Sequence, residues 1–201
     1  MNTKNKFLTI DFVSACSEKK LYPEDIGFEV AICGRSNSGK SSIINALANS
    51  KKLAKTSNTP GRTQSINFFR IDNNDAYKLI DLPGYGFAKA SKSMKRDWGK
   101  KITDYMNSRD ALKGVILIMD IRHPFQEADY NFLEWCQSYN LPIQLLLNKA
   151  DKLSRNKSLN ILSECIKDLD EYPLLDEPQI FSAKNFDGVD VLVKKIRSWV
   201  G

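Results

Sequence analysis

Two hydrophobic periods alternate along this chain. Continuous apolar runs occur at FEVAIC (28–33), GVILIMD (114–120) and PIQLLLN (142–148), with a shorter one at PQIFSA (178–183). Such runs predict strands covered on both faces. SINFFRI (65–71) and AYKLIDL (76–82) flank the turn residues DNND (72–75), which is a hairpin pattern. Between these strands lie segments of helical period. SSIINALA (41–48) follows the first run; Met94, Trp98, Ile102, Tyr105 and Met106 recur at helical spacing within 91–109. Segments 127–139, 158–169 and 188–200 obey the same rule. The alternation predicts a three-layer α/β fold: a mostly parallel six-stranded sheet with one antiparallel edge strand and helices on both faces. Residues 1–24 do not fit the alternation and are expected to pack as an extension on a single domain spanning 25–201.

Composition narrows the picture a little. With 201 residues, 42% of them hydrophobic, the chain can bury one good core. Thirty Lys and Arg against 24 Asp and Glu give a net charge of +6. That excess favours an anionic ligand or nucleic acid, and it is equally the mark of solvated lysines. The cysteines (Cys16, Cys33, Cys136, Cys165) form no C-x-x-C pair and read as reduced thiols of a cytoplasmic protein. No apolar run suits a secretory signal or a membrane span, and no acylation or prenylation motif is present. The expectation is a protein with no membrane anchor.

The chemistry begins at GRSNSGKSS, residues 34–42. Gly34, Gly39, Lys40 and Ser41 match G-x-x-x-x-G-K-[ST], between a predicted strand and a predicted helix, the context that confirms a phosphate loop. The residues between, Arg35, Ser36, Asn37 and Ser38, are mostly small, which lets backbone N–H groups converge on phosphate oxygens. The helix N-terminus adds its dipole. Lys40 is expected to reach the β- and γ-phosphates and Ser41 to ligate Mg²⁺, with Ser42 beside it.

LNKAD follows the run at 142–148 and supplies N-K-x-D at Asn148, Lys149 and Asp151, with Ala150 between. Guanine presents N1–H and N2–H₂ as adjacent donors, and a carboxylate at Asp151 accepts both. Adenine lacks the pair and would leave the charge unmatched, a basis for rejection by roughly 10⁴-fold or more. Asn148 can tie this loop to the phosphate loop, and the stem of Lys149 can lie along the base. FSAKN then provides Phe181, Ser182 and Ala183, whose backbone N–H would donate to guanine O6.

DLPG, residues 81–84, closes the second hairpin strand. Asp81 stands where a P-loop enzyme keeps the acid that holds Mg²⁺ through water, followed by Leu82 and Pro83. Gly84 can offer its N–H to the γ-phosphate. TPGRTQS (59–65) contains Gly61, Arg62, Thr63, Gln64 and Ser65. Thr63 is the expected second protein ligand of Mg²⁺, with Thr59 as the alternative.

These motifs, in this order, resemble those of translation-factor-class P-loop G proteins. TPGRTQSINFF, DLPGYGFAKAS, DIRHP and NKADKLS narrow the resemblance to the EngB family of bacterial ribosome-biogenesis GTPases, also called YihA or YsxC, over essentially the whole chain. The resemblance implies a single G domain that binds GTP and GDP with Mg²⁺, hydrolyses GTP, and acts in assembly of the large ribosomal subunit; the family is also linked with cell division and septation. A ribosomal or rRNA partner is therefore expected; no DNA, no membrane and action as a monomer are expected as well.

In Ras-type enzymes a glutamine after the D-x-x-G glycine orients the attacking water; here the residue is Tyr85. Slow intrinsic turnover is therefore expected, with Lys40, Gly84 and Asn37 as the catalytic candidates. Asn37 matches the asparagine of potassium-dependent GTPases, where K⁺ sits beside the phosphates; Arg62 and Arg35 are alternative charge donors. A P-loop kinase or ATPase is the second class, opposed by N-K-x-D. The third is a non-enzymatic, nucleotide-dependent RNA or ribosome adaptor with vestigial hydrolysis. The lone His123 reads as a turn residue beside Pro124, and Trp98 and Tyr105 as core. Lys89, Lys92, Lys95, Arg96, Lys100 and Lys101 form a basic cluster after DLPG, either a solvated face or an RNA contact.

Overall fold

The computed structural model describes residues 6–54, 65–86, 92–169 and 171–200. In chain order the strands are β1 (Ile10–Cys16), β2 (Phe28–Gly34), β3 (Ile66–Ile71), β4 (Asn74–Asp81), β5 (Leu112–Asp120), β6 (Ile143–Asn148) and β7 (Leu175–Ile180). The helices are α1 (Lys40–Leu47), α2 (Lys92–Met106), α3 (Glu127–Ser138), α4 (Arg155–Asp168) and α5 (Val189–Val200). They build one sheet in the order β1-β3-β4-β2-β5-β6-β7.

Among the described residues the sheet has seven strands where six were expected. The extra one comes from the N-terminal extension: β1 pairs antiparallel with β3, from Ile10 opposite Ile71 to Cys16 opposite Ile66. A bulge between Phe12 and Ser14 shifts its register, which breaks the strict alternation that would have marked it. The antiparallel strand is therefore β3, second from the edge, and not the edge itself. The hairpin is tighter than DNND suggested. Asp72 and Asn73 both take positive φ, 50° and 56°, and β4 already begins at Asn74. Two left-handed residues are what a twisted two-residue hairpin requires. β7 also starts and ends three residues before the run 178–183, and α4 starts at Arg155, its N-cap Ser154 accepting from the Lys157 N–H.

The sheet separates two apolar clusters. Val30, Ile32, Ile116 and Ile118 face α1 and α5, meeting Ile43, Leu47, Leu192 and Ile196. Ala31, Cys33, Leu117 and Met119 point the other way, toward Ile102 and Tyr105 of α2, Phe132 and Leu133 of α3 and Cys165 of α4. Burying one such aliphatic side chain contributes about 1.5–3 kcal/mol. Rigid strands covered on both faces then bring their C-terminal ends to one edge.

Candidate functional site

Ligands of open α/β sheets bind beyond the C-terminal ends of the strands. Here the loops after β2, β4, β6 and β7 meet at that edge. β2 ends at Gly34, and α1 begins at Lys40 with Gly39 as its N-cap at φ 102°. A Cβ at Gly39 would lie 2.2 Å from Asn148 Nδ2, so only glycine fits there. Asn37 is also left-handed, at φ 65°, and the Ser38 N–H donates to the Arg35 carbonyl at 3.0 Å. The resulting loop wraps the start of α1, where free N–H groups and the helix dipole favour an anion. Ser41 is half-buried and Ser42 exposed in that first turn.

Asn148 locks the loops together. Its Nδ2 donates to the Ser38 carbonyl at 2.8 Å, and its Oδ1 accepts the Ala183 N–H at 3.3 Å. Lys149 takes φ 68° and sends its ammonium to the Asn37 carbonyl at 2.6 Å and to Asp120 at 3.0 Å. Burial pushes the Asp120 carboxyl up, but hydrogen bonds from Arg122 and Lys149 outweigh it and hold the group well below the usual carboxylate range. The Ser182 hydroxyl donates to Asp151 Oδ1 at 2.9 Å. Asp151 Oδ2 is buried with no hydrogen-bond partner among the described residues; the Lys152 ammonium stands 3.8 Å away, beyond hydrogen-bond reach. A buried acceptor without its bond costs about 1–3 kcal/mol. A ligand edge with adjacent N–H donors would remove that cost. Phe181 is fully buried and carries the segment through main-chain bonds to Leu147 and Ala150.

At the other side of the loop, Asp81 is buried and accepts from the Lys40 ammonium and, at 3.0 Å, from Asn67 Nδ2. The Ser65 hydroxyl in turn donates to Asn67 Oδ1 at 3.2 Å. Leu82 bonds back to the Ile32 carbonyl. Tyr85 donates its N–H to the Gly34 carbonyl at 3.2 Å and accepts the Ser36 N–H at 2.9 Å. Gly84 is thereby pressed on the phosphate loop, where a Cβ would lie 3.2 Å from the Gly34 carbonyl oxygen. The Ser41 hydroxyl and Asp81 carboxylate are the hard oxygen donors that Mg²⁺ takes, and they fit it. Among the described residues no group of three His, Cys, Asp or Glu forms a cage, and Mg²⁺ is ordinarily held by one or two protein oxygens plus phosphates. Thr59, Gly61, Arg62, Thr63 and Gln64 lie outside the described residues.

Three residues entered the site unannounced. Asn67 holds Asp81 because the hairpin register sets them opposite each other. Asp120 holds Lys149, and its place at the end of β5 was the available signal. Asp129 holds Tyr85, whose phenol donates to Asp129 Oδ1 at 2.7 Å; burial and the Asp129 charge push that phenol well above its usual range. Of the residues read as core or turn, Trp98 is only half-buried and packs on Tyr85. Tyr105 is fully buried, and the Trp98 indole N–H donates to the Pro83 carbonyl at 2.8 Å. His123 is a turn residue, its N–H donating to the Asp120 carbonyl at 2.9 Å. All four cysteines are free and buried, and burial pushes the Cys33 thiol up to about 12 and the Cys165 thiol up to about 11.

Comparison with known proteins agrees with this geometry. Residues 29–149 match the model of a family described as 50S ribosome-binding GTPase. The chain is 46% identical over 193 residues to the probable GTP-binding protein EngB of Haemophilus influenzae (strain PittEE), covering 94% of this chain and 91% of that protein. It is 44% identical over 190 residues to the EngB of Ruthia magnifica subsp. Calyptogena magnifica, covering 94% of each. Among solved structures, a probable GTP-binding protein EngB superposes with TM-score 0.65 at 23% identity, over 86% of this chain and 98% of that one. Era in complex with MgGDPNP and nucleotides 1506–1542 of 16S ribosomal RNA superposes with TM-score 0.68 at 23% identity, over 89% of this chain and 58% of that one. A glycine loop before α1, a lone carboxylate oxygen after β6 and identity of this extent along nearly the whole chain lead to one assignment: the chain belongs to the EngB family of GTP-binding P-loop GTPases.

Proposed function

We propose that this GTPase works as a nucleotide-dependent switch in assembly of the large ribosomal subunit. The observation that carries the nucleotide half is the unmatched Asp151 Oδ2 at the same edge as the Gly39-capped start of α1. Asp151 takes guanine N1–H and N2–H₂, the Ala183 N–H takes O6, and Lys149 lies along the base. Gly34 to Ser42 cradle the polyphosphate, with Lys40 leaving Asp81 to reach it. Gly84 contacts the γ-phosphate, so the DLPG loop reads whether that group is present. Ser41 and, through water, Asp81 hold Mg²⁺, with Thr63 as second ligand; the ion, when bound, offsets the charge on the β- and γ-phosphate oxygens. One G domain over 25–201, with 1–24 packed on it, belongs to this reading, as do a cytoplasmic location, action as a monomer and the family's link with cell division.

The ribosomal half is supported by the description of the matching family and by the basic surface of α2, where Arg96 and Lys100 are exposed. The side chains of Lys89, Lys92 and Lys95 lie outside the described residues. Co-sedimentation with large subunits tests it: more protein pellets with a non-hydrolysable GTP analogue than with GDP, and raised salt releases it steeply. Equal pelleting in both nucleotides would refute the switch. Asn37 is proposed to help bind K⁺ as the missing positive charge; equal turnover in KCl and NaCl would remove that idea. One observation favours a second reading, an adaptor with vestigial hydrolysis: the Tyr85 phenol is committed to Asp129 and cannot orient a water. Single-turnover hydrolysis with and without subunits separates the two, since the adaptor shows no acceleration.

A further inference from the structure

Three parts of the molecule converge on Asp129, in the first turn of α3. Its side chain is fully buried. Oδ1 accepts the Tyr85 phenol at 2.7 Å and Arg35 Nε at 3.2 Å. Oδ2 lies 3.0 Å from the same Nε and accepts the Gln126 N–H at 2.9 Å. The other arm of the Arg35 guanidinium donates to the His123 carbonyl, in the turn before α3. The Gln126 bond is half of a capping box, and an acid at this helix position needs no other reason. A cap alone, however, sits comfortably in solvent. This one is sealed beneath a phosphate-loop arginine and the tyrosine that follows DLPG.

Tyr85 is held on every side. Its ring stacks on Phe132 at 5.3 Å and meets Trp98 edge-on at 5.7 Å. Its main chain bonds to Gly34 and Ser36. The preceding residue is Gly84, already close to the Gly34 carbonyl. Where a G protein carries glutamine at this position, the side chain is available to the reacting water; here it is a pin driven away from the phosphates into α3.

We infer that Asp129 is a positioning residue for γ-phosphate recognition: through Tyr85 and Arg35 it sets the Gly84 N–H against the phosphate loop from α3. The inference rests on the reading of Gly84 as the γ-phosphate contact. Its consequence is that the preference between GTP and GDP depends on a carboxylate that touches neither nucleotide. The buried charges balance, Asp129 against Arg35, so the pin carries no uncompensated ion.

The test measures the affinity of the purified full chain for GDP and for a non-hydrolysable GTP analogue, with the melting temperature recorded beside them. The variants are Tyr85→Phe, Asp129→Asn and Gly84→Ala. Tyr85→Phe keeps the ring packing and removes one buried hydrogen bond. It is expected to weaken analogue binding about three- to tenfold while GDP affinity stays within about twofold. Asp129→Asn gives a loss of the same kind, and the two changes together are not additive because they share one bond. If Asp129→Asn fails to fold, Tyr85→Phe decides alone. If Gly84→Ala shifts the analogue-to-GDP ratio while Tyr85→Phe leaves it unchanged, the Gly84 reading stands and the role of Asp129 falls. Gly84→Ala keeps the N–H but shifts it, because the added Cβ would press on the Gly34 carbonyl oxygen at 3.2 Å; if it leaves the ratio unchanged, both fall. A fall in melting temperature with both affinities dropping in parallel also overturns the inference, because that is the signature of a structural cap.

Discussion

Glu29, fully buried, and Asp151, nearly so, are carboxylates at opposite ends of the sheet, and they differ in what is left over. Glu29, at the start of β2, receives the Tyr105 phenol at 2.8 Å and Arg109 Nε at 3.1 Å on Oε2, and the second arm of Arg109 on Oε1. The remaining guanidinium donors reach the Pro23 and Glu24 carbonyls at 2.8 and 3.2 Å, which fastens the N-terminal extension to the end of α2. Burial and the neighbouring Glu29 charge push the Tyr105 phenol well above its usual range. Asp151, after β6, has one oxygen matched by Ser182 and one unmatched. A buried acid whose oxygens are all satisfied serves the fold; one with an oxygen to spare beside the phosphate loop can take a donor from outside. The glycines repeat the contrast. A Cβ at Gly114 would strike the Trp199 ring at 2.8 Å, deep in the packed end, whereas at Gly39 it would strike the side chain that ties the phosphate loop.

The largest effect that can break this comparison belongs to Asp151→Ala. In the proposed reading it removes two charge-assisted bonds to the base, each worth about 1.5–3 kcal/mol, so guanine affinity should fall by ~10²–10⁴-fold. Titration with fluorescent GDP measures it, and the melting temperature of the ligand-free protein should hardly move. Glu29→Ala is the mirror image. Arg109 loses its main carboxylate partner and keeps only Asp25 at 3.5 Å and the Pro23 and Glu24 carbonyls, which costs up to about 3–5 kcal/mol and lowers the melting temperature by roughly 10 °C at about 2–4 °C per kcal/mol. Nucleotide affinity measured well below that transition should be retained; a large loss there would erase the distinction between the two ends. Gly114→Ala overpacks the contact with Trp199 and should cost about 1–3 kcal/mol in a denaturant titration, again sparing GDP. Ser182→Ala is the smallest: one hydrogen bond to Asp151 goes, and GDP affinity should weaken about three- to tenfold, seen by the same fluorescence titration.

How far the sequence alone could reach varies by residue. That Lys40, Asn148 and Asp151 lie at one edge of the sheet was legible because short spacing at a strand end survives in one dimension. β1 was not, because a bulged edge strand with Phe12 and Val13 exposed has no clean period to read. Asn67 was hidden for another reason. It is an ordinary polar residue in a strand, and only the hairpin register sets it opposite Asp81. Tyr85 was recognised as an unsuitable water-orienting group, yet its true partner lies 44 positions further on.

Periodicity and motif order were enough to specify an α/β sandwich with a guanine-nucleotide loop system, because hydrophobic patterning and backbone-lined phosphate sites are local properties of the chain. Which carboxylate ends up satisfied and which ends up with a spare oxygen is not local. Folding alone decided that Arg109 closes over Glu29, that Ser182 covers half of Asp151, and that Asp129 gathers Tyr85 and Arg35. Each of those pairings spans a long loop of chain, and only the packed sheet, by holding both partners within hydrogen-bond reach, selects it from the many that composition would permit.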